Sequence, residues 1–312
     1  MTSPSLSRER LLLLGFIGMA IFGGTLPATR IAVSEIDPIA LTSLRTAIAG
    51  LCSLALLLVL RRPLPQRALW PQLVITMLCV SILFPLLMSL GMQTVDASHG
   101  GVVLGILPVA TALVAVAITH ERPRPLFWIA SLGGAALVVA FALRQGGGAV
   151  STGDVLLFAA VAVAAIGYAY SGRLTADMPG WEVISWVLVI ALPVSLPAAA
   201  LAMPADPTHI ALKPWLGLLY VAIFSQWVGF FAWNAGLAMG GIARVSQIQL
   251  LQPFVIFALA AYFNGETITP QIVLFASAVV ATVAISTRTR GRAPPINTVI
   301  PGSARTATPG MT

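Results

Sequence analysis

Apolar residues run along this chain in long blocks, each closed by a short stretch rich in charge, proline or glycine. The blocks fall at 11–30, 39–60, 69–92, 97–119, 126–143, 154–174, 183–203, 215–238, 242–263 and 271–287. Twenty residues in a helix reach about 30 Å, one hydrocarbon thickness, whereas strands and core helices of soluble domains are shorter. Each block is therefore expected to be a helix. The connectors carry the residues that stop helices: Asp37-Pro38, Arg61-Arg62-Pro63-Leu64-Pro65, Gln145-Gly146-Gly147-Gly148, Met178-Pro179-Gly180 and Met203-Pro204-Ala205-Asp206-Pro207. Most are short, so neighbouring helices run antiparallel and no soluble domain fits between them. The first block follows Arg8-Glu9-Arg10 as a signal peptide would, but it is long and nine more blocks follow. It is read as a retained helix.

The punctuation repeats. Shifted by 145 positions, Gly91 falls on Gly236, Pro108 on Pro253, Glu121 on Glu266 and Pro125 on Pro270. At a shift of 143, Gly24 and Arg30 fall on Gly167 and Arg173. The chain thus reads as two copies of one five-helix unit. The predicted organisation is an N-terminal tail at 1–10, a first repeat at 11–144, a connector at 145–153, a second repeat at 154–287 and a basic, disordered tail at 288–312.

Composition places these helices. Hydrophobic residues make up 58% of the chain and charged residues only 9%, against about 25% charged in a soluble domain. Most of the surface must therefore face lipid. The formal charge of +7 does not indicate nucleic acid, because the arginines lie in small groups between apolar blocks and not in a patch with aromatics. With the N-terminus inside, thirteen basic residues fall on the cytoplasmic side (among them Arg61, Arg62, Arg122, Arg124, Arg173 and Arg244), and only Arg30, Arg144 and Lys213 fall outside. Both ends are predicted to be cytoplasmic. Cys52 and Cys79 sit inside apolar blocks and are expected as small core residues.

Five helices per copy is an odd number, so the second copy must enter the membrane upside down. Such inverted repeats place a binding site near mid-membrane between the halves, with access exchanged by rocking.

Phe22-Gly23-Gly24, Pro27, Arg30, Pro38 and Arg45, the run 97–121 with central Pro108 and terminal Glu121, and Gly153-Asp154, Pro253 and Gly265-Glu266 together resemble EamA-type members of the drug/metabolite transporter superfamily. Phe22 stands where that family usually has tryptophan, and His120 where it has glycine before the glutamate. The resemblance implies an all-α, ten-helix secondary carrier without cofactor or metal. It also implies a central cavity lined by helices one, three, four, six, eight and nine, and location in the bacterial inner membrane. Relatives of this kind export small metabolites, often amino acids, with drugs and nucleobases as alternatives. The expected partners are a small-molecule substrate and the lipid bilayer, with a monomer or a weak homo-oligomer as the assembly.

Candidate chemistry follows from polar groups inside apolar blocks. Arg45 lies seven residues past Pro38, about 10 Å down a helix. Arginine at a helix centre costs about 2.5–3.5 kcal/mol on insertion scales, so a partner is expected. One reading is an ion-pair latch at the outer mouth made of Arg30, Arg45, Glu35 and Asp37. The other is that Arg45 or Arg30 attracts a substrate carboxylate. No Asp or Glu lies mid-block, which weighs against simple proton coupling, and His99 and His120 are expected as surface or capping groups. Ser246, Gln249 and Gln252 follow at i, i+3 and i+6 on the ninth block, where Pro253 frees a backbone carbonyl. Gln226, Trp227 and Asn234 on the eighth, Tyr168 on the sixth, and Met77 and Ser81 on the third complete the cavity candidates. Pro108, Pro253, Glu121 and Glu266 are expected to be structural or gating residues, each glutamate capping its own last helix or a neighbour. Amides and rings in an apolar setting suit a neutral or zwitterionic solute, and the single lysine, Lys213, disfavours phosphorylated ones. An enzyme is disfavoured because His99, His120 and His209 stand apart with no clustered base or metal set.

Overall fold

The computed structural model describes residues 8–119, 125–145, 147–232 and 250–289, and among these residues the chain is helical with no strand. Seven helices are long and apolar enough to cross a membrane by length and composition: α2 (Pro38–Val59), α3 (Arg67–Gly91), α4 (Ala97–Ile118), α5 (Pro125–Gln145), α6 (Thr152–Leu174), α7 (Gly180–Ala202) and α8 (Leu212–Ala232). Three shorter apolar helices complete the described set: α1 (Phe16–Ala32), α9 (Gln252–Asn264) and α10 (Pro270–Ile285).

The helices begin where local chemistry can satisfy their free N–H groups. Asp37 accepts from the backbone N–H of Ile39 and Ala40 at 2.8 and 3.2 Å, with Pro38 at the first helical position of α2. Ser151 and Asp154 form a reciprocal capping box on α6. Proline opens both α5 and α10. Pro108 lacks the N–H that would continue α4, and that helix breaks between Leu104 and Leu107.

Two helices depart from α geometry in their middles. Within α3 the stretch Met77–Leu83 is π-helical, and within α8 so is Tyr220–Val228. Under the 145-residue shift the first maps onto 222–228, inside the second. Such widened turns are rare and recur at functional sites.

The packing also comes in exchanged pairs. α3 lies against α6 and α8 against α1; α4 against α6 and α9 against α1; α2 against α8 and α7 against α3. Each second pair is the first with every helix advanced by five places. α2 with α7, α5 with α10, and α4 with α9 map onto themselves. Glycine permits two of these approaches. A Cβ on Gly24 in α1 would stand 2.2 Å from the Tyr220 hydroxyl of α8, and one on Gly167 in α6 would stand 2.5 Å from Val80 Cγ2 of α3. Large apolar side chains such as Ile129, Leu132, Leu201, Leu212 and Leu274 point outward, as lipid-facing helices require.

Candidate functional site

The polar residues of α2, α3 and α8 meet in one buried layer beside the π-helical turns. Arg45 of α2 is 3% exposed, and its Nε donates to Gln226 Oε1 of α8 at 2.5 Å. Gln226 Nε2 donates to Thr46 Oγ1 at 3.2 Å, and Thr46 Oγ1 donates to the Ser81 carbonyl of α3 at 2.9 Å. One residue earlier, Ser225 shares a 2.7 Å hydroxyl bond with Thr25 of α1. Tyr168 of α6 lies within electrostatic reach of the Arg45 guanidinium and packs edge-on against Phe84 at 6.4 Å between ring centroids. The layer thus joins helices of both repeats. Amides and hydroxyls are tolerated there because each bond replaces one that water would otherwise make.

The layer is incompletely satisfied. Arg45 Nη1, Ser81 Oγ and Trp227 Nε1 are buried without a hydrogen-bond partner among the described residues. Beside it, Met77, Trp186, Val187 and Ala191 are buried in one cluster, against which Trp181, Trp227, Phe230 and Phe231 pack. Trp227 and Phe231 meet edge-on at 5.4 Å. A polar layer therefore gives way to a wall of rings and aliphatic chains.

The expected latch of Arg30 and Arg45 with Glu35 and Asp37 is corrected by the geometry. Asp37 is occupied as the cap of α2, Glu35 accepts from the backbone N–H of Ala211 at 2.8 Å, and Arg45 turns inward to Gln226. Arg30 bonds the Met92 carbonyl and pairs with Asp96 at 3.6 Å. Arg30 and Glu35 instead line a cleft of about 380 Å³ at one face, together with Ser34, Asp96, Lys213 and Glu266. Glu266 follows Gly265, whose φ of +69° only glycine adopts freely. Its two carboxylate oxygens accept from the N–H groups of Ala97 and Ser98 at 2.8 Å each, so it caps the neighbouring helix α4. At the opposite face, Arg62 approaches Glu182 at 3.9 Å and lies over the Trp181 ring at 5.2 Å.

Other expectations divide. Met77 and Ser81 are buried and Tyr168, Trp227 and Gln252 half-buried. Gln252 opens α9 beside Pro253 and shares no hydrogen bond with the layer among the described residues. Asn234, Ser246, Gln249 and Glu121 lie outside the described residues. Helix two, absent from the implied cavity lining, supplies the central cation. His99 is no surface cap: its Nε2 lies 2.6 Å from Asp154 Oδ1, tying α4 to α6. Thr46 and Thr25 were missed, because a threonine in an apolar block is ordinary until a partner on a distant helix is known. The shared π turns also leave no mark in hydrophobic periodicity.

Comparison with known proteins agrees with this architecture. The EamA-like transporter family matches the chain twice, over residues 10–143 and 151–288. The uncharacterized transporter YdeK of Bacillus subtilis (strain 168) is 44% identical over 274 residues, covering 88% of this chain and 96% of that protein. A protein of known crystal structure superposes over 90% of this chain and 99% of its own at 22% identity with a TM-score of 0.62, which speaks for the fold alone. The paired helical copies, the lipid-facing surface and both family matches make this chain a multi-pass membrane transporter, not an enzyme, and a member of the EamA-like transporter family.

Proposed function

We propose that this transporter exports small neutral or zwitterionic metabolites, foremost amino acids with aromatic or other apolar side chains, from the bacterial cytoplasm across the inner membrane. Two five-helix repeats of inverted topology, with both termini cytoplasmic, rock about the layer that joins them. The observation that carries this reading is the buried chain of hydrogen bonds Arg45–Gln226–Thr46–Ser81, which bridges both repeats and adjoins a wall of Trp and Phe. A solute with a polar head and an apolar side chain would match the two environments at once.

The exchanged helix pairs support the mechanism. Where the principal contacts of one repeat have counterparts in the other, two arrangements of similar energy become available, as alternating access requires. On the proposed orientation the 380 Å³ cleft belongs to the outer mouth, and Arg62, Glu182 and Trp181 close the cytoplasmic side. Counterflow of labelled neutral amino acids into proteoliposomes tests the reading. Saturable exchange that unlabelled phenylalanine or leucine competes away is expected; absence of flux for every neutral amino acid would end the substrate claim.

A further inference from the structure

We infer that Arg45 is the carboxylate anchor of the translocation site, and that the site reads one carboxylate without requiring an ammonium group on the solute. The inference rests on the transport reading above and extends its substrate class from amino acids to other monocarboxylates with an apolar side chain. It follows from an imbalance of charge in the central layer. Among the described residues no carboxylate lies within 4 Å of the Arg45 guanidinium, since Arg30, Arg62, His99 and His209 account for the ion pairs. A buried cation without a counter-ion is costly, and proteins retain such groups where a ligand supplies the missing charge.

The arrangement of donors agrees. Gln226 Oε1 accepts from the Nε of the guanidinium and is itself held by its amide's bond to Thr46 Oγ1, while Nη1 stays buried without a partner among the described residues. Guanidinium nitrogens aligned on a planar fork suit the two oxygens of a carboxylate. The buried Ser81 hydroxyl, also without a partner, belongs to the residue whose carbonyl Thr46 already holds. A latch between helices would need only the Nε contact, which a neutral amide could make without the burden of charge.

Among the described residues the layer holds no carboxylate to pair with an ammonium. Gln226 Oε1 and the Ser81 carbonyl each already accept one bond, from Arg45 and from Thr46, and are neutral acceptors only. The nearby Trp186, Trp227, Phe230 and Phe231 give the rest of the solute an apolar or aromatic surface. The chemical class is therefore a monocarboxylate with an apolar side chain, of which an amino acid is one example.

The test uses the purified full chain and four probes: phenylalanine, 3-phenylpropionate, phenylalaninamide and phenethylamine. Thermal stabilisation in detergent reads binding, and uptake into proteoliposomes reads transport. Phenylalanine and 3-phenylpropionate should stabilise the protein at similar concentrations. The two probes without a carboxylate should need about 10- to 100-fold more, as expected for one lost charge-assisted bond. Arg45→Gln should remove that discrimination and Arg45→Lys retain part of it; if Arg45→Gln does not fold, the wild-type comparison decides alone. Equal stabilisation by phenylalaninamide, or no stabilisation by either carboxylate, overturns the inference. If labelled probes are taken up without preference for a carboxylate, the anchor fails and the transport reading stands. If binding discriminates while no probe is taken up, the anchor stands and the transport reading fails.

Discussion

The π-helical turns of α3 and α8 occupy one place in the two repeats, yet they carry different chemistry. Both widen the backbone at mid-helix, at Met77–Leu83 and Tyr220–Val228. Under the shift of 145, Ser81 corresponds to Gln226 and Arg45 to Ile190. One repeat thus contributes a cation and a hydroxyl, and the other an amide and an aliphatic chain. In the proposed cycle, backbone symmetry serves the exchange of access, because both halves must reach the same two packings. Side-chain asymmetry suits the proposed solute, with its one polar end. A site built from identical halves would offer that end two equivalent places and hold it in neither orientation.

Substitutions at matched positions can break this comparison. The largest effect should come from Gln226→Leu, which strips the Arg45 guanidinium of its acceptor. Loss of a hydrogen bond to a buried charge costs about 1.5–3 kcal/mol. Its counterpart Ser81→Ala removes a hydroxyl without a partner and should change thermal stability by less than about 0.5 kcal/mol. Equal losses at the two positions would mean that the layer is symmetric in energy after all.

Gly24→Ala and Gly167→Ala come next and sharpen the symmetric half of the comparison. Each forces a Cβ into the facing helix, against Tyr220 or Val80, with overpacking worth about 1–3 kcal/mol. Similar drops in melting temperature are expected at the two sites. A loss confined to one would show that the repeats tolerate close approach differently.

Glu266→Ala removes the acceptor of two backbone N–H groups that open α4, and helix caps are worth about 1 kcal/mol. Expression and maximal flux should fall while the order of preferred substrates stays unchanged. A shifted preference at normal expression would place Glu266 in the binding site instead. Among substitutions that break a contact, the smallest effect belongs to Thr25→Val, which deletes the hydroxyl bond to Ser225. Interhelical bonds of this kind average about 0.6 kcal/mol, so only a careful melting comparison will see it.

How far these features could be read from the chain depends on their range. Helix starts at Pro38, Ala97, Pro125 and Thr152 lie within two residues of the predicted block edges, because Asp, Ser and Pro act on the turn beside them. The first of α7's turns was missed: Gly180 begins the helix three residues before the predicted block. Glycine and the flanking Trp181 and Glu182 hide a helical turn that packing supplies. Arg45 was recognisable as a charge needing a partner, but that partner lies 181 residues away on α8. Nothing local distinguishes a neutral glutamine from the nearer acids Glu35 and Asp37. Only the fold shows that both acids are spent on backbone N–H groups. His99 and Asp154 each look like helix-end residues in isolation, and their 2.6 Å contact depends on how α4 and α6 meet.

The central claim is that the layer around Arg45 and Gln226 lies on the solute's path. Ser81→Cys, made in a chain with Cys52 and Cys79 replaced by serine, tests it most directly, because Ser81 is fully buried with its hydroxyl unbonded. In proteoliposomes a membrane-impermeant thiol reagent should modify this position in at least one state of the cycle, and a transported amino acid should slow the modification. Resistance to the reagent from both sides under all conditions, in a variant that still transports, would contradict the account.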